Sequence, residues 1–140
     1  MKFAVSAVAM AVMSLLLGFL IHATLLAPDY AKLAGMFRPP AEQGSFFGYM
    51  LIAHLLIGIG FTWIYLQGRE DKAFLAQGIR FGLAVAVLAT IPTYLIYYAV
   101  QPYPAKVVVK QIVFDTIGVV LMGIVCAWIN RVRVSAAAAA

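Results

Sequence analysis

Charge is the scarcest ingredient of this chain. Only 11% of its 140 residues are Asp, Glu, Lys or Arg, and just five of those are acidic. Soluble domains carry about 25% charged residues, so a water-exposed globular surface cannot be assembled here. Cys126 is the only cysteine, which excludes an intrachain disulfide and a thiolate cluster and leaves it a packing role. Motifs are missing too. There is no GxxxxGK[ST] loop, GxGxxG turn, HExxH or CxxC, so phosphate-driven pumping, dinucleotide redox chemistry and zinc hydrolysis lack their parts. The net charge of +5 does not point to nucleic acid, because the ten Lys and Arg are scattered over loops and tails with no contiguous basic stripe.

What is present in excess is apolar sequence: 65% of residues are hydrophobic and the mean hydropathy is +1.00. Four runs, Phe3 to Ala27, Phe46 to Leu66, Ile79 to Val100 and Val107 to Ile129, each reach the roughly 20 residues that cross a hydrocarbon core as a helix. The expected fold is therefore all-α, a single four-transmembrane-helix bundle over residues 1–134, followed by a low-complexity Ala tail at 135–140. The first run opens after Lys2 and ends at Ala27, as a secretory signal does. Its apolar core exceeds the roughly 7 to 15 residues of a signal, however, and Leu25 stands where a small residue is wanted, so it reads as a retained helix.

Basic residues set the orientation. With both termini inside, Lys2, Arg69, Lys72, Arg80, Arg131 and Arg133 are cytoplasmic, against Lys32, Arg38, Lys106 and Lys110 outside, which places the chain N-in and C-in in a bacterial inner membrane. Trp63 and Trp128 then mark the inner interface, and Tyr49, Tyr97, Tyr98 and Tyr103 the outer one. The loop from Pro28 to Ser45 is extracytoplasmic, with an amphipathic turn at Tyr30 to Phe37 resting on the surface. Short second and third connections, the latter "QPYPAK", predict helices two, three and four as sequential antiparallel neighbours. Small residues spaced by four predict packing seams at Ser14, Gly18 and His22, and at Gly78, Gly82, Ala86 and Thr90. Pro92 is expected to interrupt helix three, with Thr90 or Thr93 satisfying the carbonyl it frees.

A weak repeat joins the two halves. "LIGIGFTWI" from Leu56 matches "LMGIVCAWI" from Leu121, and "FLIHA" from Phe19 matches "YLIYY" from Tyr94, so the chain reads as two tandem helical hairpins or as a chance match between apolar alphabets.

Polar side chains concentrate at one depth. His22, His54, Tyr94, Tyr97, Lys110, Gln111 and Asp115 all fall in the outer half of the spans and form the candidate ligand or proton site. An aspartate near a helix centre costs about 2.5 to 3.5 kcal/mol on insertion, so Asp115 needs compensating groups. On helix four Gln111, Asp115, Met122 and Cys126 share one arc; on helix two the arc through His54 holds Phe47, Met50, Gly58, Phe61 and Tyr65. Facing arcs make Asp115 with His54 the expected pair, with Lys110 able to snorkel and a tyrosine hydroxyl to contribute. The same groups could serve only to lock helix register.

"FGYMLIAHLLIGIGFTWIY" on helix two and "VVKQIVFDTIGVVLMGIVCAWI" on helix four make the chain similar, across nearly its full length, to the small four-helix bacterial membrane proteins grouped as domains of unknown function. The resemblance implies an architecture and no activity. Two function classes stay open: an outward-facing polar pocket that binds or passes a small solute, proton or lipid headgroup, or an accessory or assembly subunit of a larger membrane complex. Catalysis ranks behind both. A b-type haem held by His22 and His54 is a third possibility and the one cofactor the residues could suggest; otherwise no cofactor is expected. The partners implied are the lipid bilayer and either further copies of the chain or a larger complex, because four such helices enclose little volume alone.

Overall fold

The computed structural model describes residues Lys2 to Arg131; Arg133 and the Ala-rich tail lie outside the described residues. Four helices are long and apolar enough to cross a membrane: α1 (Lys2–Leu25), α2 (Ala41–Gly68), α3 (Phe74–Val100) and α4 (Ala105–Ile129). The chain is a multi-pass, all-α membrane bundle. Its outward surface would be untenable in water, with Leu16, Phe19, Leu56, Val87 and Leu88 all more than half exposed. In a bilayer the same residues simply meet lipid. The end holding Lys2, the α2–α3 connection and Asn130 is termed proximal, and the end holding the other two connections distal.

Of the expected sequential neighbours, α3 and α4 pair closely but α2 and α3 do not. The closest backbone approaches are α1 against α2 and α3 against α4, joined along α1 and α4. Helices α2 and α3 meet through rings in the proximal half, where Phe81 packs edge-on against Phe61 at 4.8 Å and Tyr65 at 5.3 Å. Glycine explains the preference, since a helix without a Cβ lets a neighbour's backbone come closer. A Cβ on Gly58 would stand 2.3 Å from the Ala7 carbonyl oxygen, and one on Gly123 2.3 Å from that of Gly78. These are the matched glycines of the sequence repeat, and each performs the same task in its own hairpin.

Burial is concentrated proximally. Met10, Phe61, Tyr65, Met122, Cys126 and Ala127 form the main cluster, and Asn130 Nδ2 donates to Ser6 Oγ and to the Cys126 carbonyl, both at 2.8 Å. The α2–α3 connection is tied down by Gln77, which donates to the Lys72 carbonyl at 3.2 Å and accepts from the Glu70 N–H at 3.0 Å. Lys72 and Arg80 grip the Glu70 carboxylate and hold it below the usual carboxylate range. Exposed Trp63 and Trp128 ring this end, and exposed Tyr49, Tyr97 and Tyr98 the other.

Two helices are locally widened. Residues Phe19–Leu25 of α1 and Ala86–Thr90 of α3 form π turns. Leu26 N–H donates to the Ile21 carbonyl at 2.8 Å, and Ile91 N–H donates to that of Ala86, each five residues back. The wide turn ahead of Pro92, rather than a threonine hydroxyl, absorbs the irregularity, and α3 continues without a break.

Candidate functional site

Gln111 and Asp115 stand one turn apart on the same face of α4. The helices on either side deliver their partners from beside the two π turns: His22 from within that of α1, and Tyr94 just beyond that of α3. Each widened turn adds a residue and rotates the rest of its helix by about 100° relative to a regular one, re-aiming side chains at α4.

The contacts form a directed chain. Gln111 Nε2 donates to Tyr30 Oη at 3.0 Å, and Tyr30 Oη lies 2.8 Å from His22 Nδ1. His22 Nε2 lies 3.4 Å from Asp115 Oδ1, and Tyr94 donates its hydroxyl to Asp115 Oδ2. Because Tyr30 already accepts from Gln111, its own proton is free to point at His22 Nδ1. That arrangement assigns the proton of a neutral imidazole to Nε2, facing the carboxylate. The chain thus ends on Asp115, which His22 and Tyr94 contact directly. Burial pushes the Tyr30 phenol above its usual range, so it remains a neutral donor.

The expected Asp115–His54 pair does not form. His54 Nδ1 is 2.8 Å from Ser14 Oγ, whose hydroxyl also reaches the Ala11 carbonyl at 3.0 Å, and the imidazole covers Gly18. The reason is helix order: α4 meets α1 and α3 along its length, and it is α1, through His22, that reaches the carboxylate. Lys110 also has a different partner. Its Nζ sits 2.5 Å from Asp29 Oδ2 and holds that carboxyl below its ordinary value. Tyr97 is 47% exposed and stands apart from the cluster.

Tyr30 and Asp29 are the members that sequence reasoning missed. The turn Ala27–Tyr30 follows α1 directly and carries Tyr30 back against His22, with the rings stacked at 6.1 Å, instead of laying it on the surface. No regular spacing announced Tyr30: it lies eight residues after His22, beyond the three or four over which side chains on one helix meet, and reaches the ring only because the chain turns after Leu26.

Both ring nitrogens of His22 are engaged, so iron ligation there would first have to break its link to Tyr30 or Asp115. Among the described residues no three His, Cys, Asp or Glu side chains gather as a metal site. Protein-family models, curated proteins and solved structures offer no match to the chain.

Proposed function

We propose that the chain is a bacterial inner-membrane protein whose Asp115–His22–Tyr94 cluster is a proton-accepting, ligand-binding site open to the extracytoplasmic side. The observation that carries this reading is that an imidazole and a phenol meet on one intramembrane carboxylate, with no Lys or Arg side chain paired to it among the described residues. Lys110 is held by Asp29, so among the described residues the contacts to Asp115 come from the His22 imidazole and the Tyr94 hydroxyl and leave it as the group on which a proton or ligand would act. Its accessibility fits: the Asp115 side chain is 16% exposed and that of His22 36%.

Binding fits better than passage. Along the inward arc of α4 between Asp115 and Cys126 lie Gly118, Val119 and Met122, three turns or roughly 16 Å of helix without a polar side chain on that arc. A proton taken up distally meets no relay towards the proximal end by this route.

Infrared spectroscopy of the protein in lipid nanodiscs tests the reading. A protonated-carboxyl band should appear and vanish with pH, be absent in Asp115→Asn, and shift in His22→Gln. A spectrum that is invariant with pH over the folded range, with Asp115→Leu as stable as wild type, would instead make the cluster a helix lock of the kind an accessory subunit needs. Reporter fusions at Gly35 and Lys72 check the orientation; cytoplasmic signal at Gly35 would reverse it.

A further inference from the structure

The proximal end, remote from Asp115, holds a cavity of about 370 Å³ between the end of α2, the start of α3 and the end of α4. That volume falls in the range of small-molecule sites, about 300 to 1,000 Å³. Its floor is apolar and deeply buried, with Tyr65 4% exposed and Ala127 fully enclosed. Its rim is basic. Arg69, Lys72 and Arg131 line it against Glu70 and Asp71, and the Glu70 carboxylate is already gripped by Lys72 and Arg80. Arg69 and Arg131 stand in no ion pair among the described residues, which leaves two guanidinium groups against one exposed carboxylate, that of Asp71.

Three kinds of donor meet there without enough acceptors. Arg69 gives one N–H, from Nη1, to the Asn130 carbonyl at 3.0 Å and keeps the rest of its guanidinium donors. Helix α3 starts at this cavity, and Ala73 offers it no side-chain cap. Its first bond runs from the Gln77 N–H to the Ala73 carbonyl at 3.2 Å, so the N–H groups of Phe74, Leu75 and Ala76 need an acceptor from outside the helix. Tyr65 supplies the third. Its hydroxyl bonds to no described residue, yet it is not sealed in, because the enclosed side-chain oxygens without a partner among the described residues are those of Thr62 and Thr116. What little of Tyr65 stays accessible therefore includes the hydroxyl, at the cavity this residue lines. The nearby acceptors are taken: Gln77 Oε1 receives the Glu70 N–H at 3.0 Å, and the Asn130 carbonyl receives Arg69.

We propose that this cavity binds a phosphate-bearing anion, its oxygens held by Arg69, the N-terminus of α3 and the Tyr65 hydroxyl, with Arg131 adding charge beside them. The donors select that class. A guanidinium fork and a row of free backbone N–H groups match the several oxygens of a phosphate, whereas a cation would meet two arginines. Exposed Trp63 and Trp128 put the cavity at the level where headgroups and water meet, with the Arg131 guanidinium 5.5 Å over the Trp128 ring. An anionic phospholipid head and a soluble phosphate ester both reach that level, and experiment separates the two.

Trp63→Phe, a change at an exposed position, leaves Trp128 as the only tryptophan, under Arg131 at the cavity. In nanodiscs of phosphatidylcholine, Trp128 fluorescence is followed as inorganic phosphate or glycerol phosphate is added, or as phosphatidylglycerol replaces part of the lipid. Saturation by the soluble anions identifies a site for an ester, and saturation with phosphatidylglycerol alone a site for a lipid head; either supports the proposal. Arg69→Gln should weaken the apparent affinity about tenfold or more, as the loss of hydrogen bonds to a charged group does. Tyr65→Phe should weaken it about tenfold with no loss of thermal stability, because the hydroxyl it removes has no partner among the described residues. Should Arg69→Gln fail to fold by far-UV circular dichroism, Tyr65→Phe decides. Lys32→Gln, which removes a charge at the distal end, should change nothing. Absence of saturation with all three anions overturns the proposal. Saturation that Arg69→Gln and Tyr65→Phe leave intact, or that Lys32→Gln weakens equally, would mean diffuse attraction to basic residues and overturns it too.

Discussion

Replacing Gly123 by alanine puts a methyl carbon 2.3 Å from the Gly78 carbonyl oxygen and 3.0 Å from the Gly82 nitrogen. Ordinary contact begins at 3.4 Å, and both obstacles are backbone, so no side-chain rotation gives relief. Helices α3 and α4 must part by about 1 Å, an overpacking cost of about 1 to 3 kcal/mol. Gly60 is the matched control, since a Cβ there meets nothing within 4 Å. Gly60→Ala should be neutral or gain up to about 1 kcal/mol from helix propensity, so the two variants should differ by about 1 to 4 kcal/mol. Reversible unfolding in mixed micelles, read by far-UV circular dichroism, measures this difference. The same parting should loosen the hydroxyl that Tyr94 on α3 extends to Asp115 on α4, because the seam sets the spacing of those helices. Equal stability of Gly123→Ala and Gly60→Ala would refute the close seam and with it the placement of Tyr94.

Two further outcomes are expected. Tyr94→Phe deletes one interhelical donor to Asp115 and should cost about 0.6 to 1.7 kcal/mol in the same unfolding assay, from the average to the largest value measured for interhelical hydrogen bonds in membranes; a variant indistinguishable from wild type would show that the hydroxyl contributes nothing. The Lys110–Asp29 pair should hold the Ala27–Met36 segment down to low pH. Because Lys110 lowers the folded carboxyl below its ordinary 3.8, the stabilisation is fully present above that value and is lost as pH falls through the lower folded one. Hydrogen exchange of this segment should rise only below about pH 3.8 in wild type but be fast throughout in Lys110→Met, and an equal rate in both proteins near neutrality would exclude the pair as a latch.

Composition alone determined that this chain lives in a bilayer as four helices, because the backbone groups of an apolar run of about 20 residues can be satisfied in lipid only within a helix. The depth of the polar residues was equally legible, since depth follows from counting along a helix at a constant rise. Glycines spaced by four announced the α3 seam, and Gly78 and Gly82 are buried there. Which histidine meets Asp115 was not legible. That choice depends on helix order, decided by the two glycine-lined close approaches that pair α1 with α2 and α3 with α4. It depends also on phase, and the π turns shift the phase of His22 and Tyr94 away from the regular 100° step on which sequence periodicity rests. Tyr30 and Asp29 came from a connection whose path no periodicity describes. The exposure of Phe47 to Ala53 was hidden for a related reason: an apolar helix reads the same whether lipid or protein covers it, so only the tertiary structure could tell that these residues are exposed while Gly58, Phe61 and Tyr65 are buried.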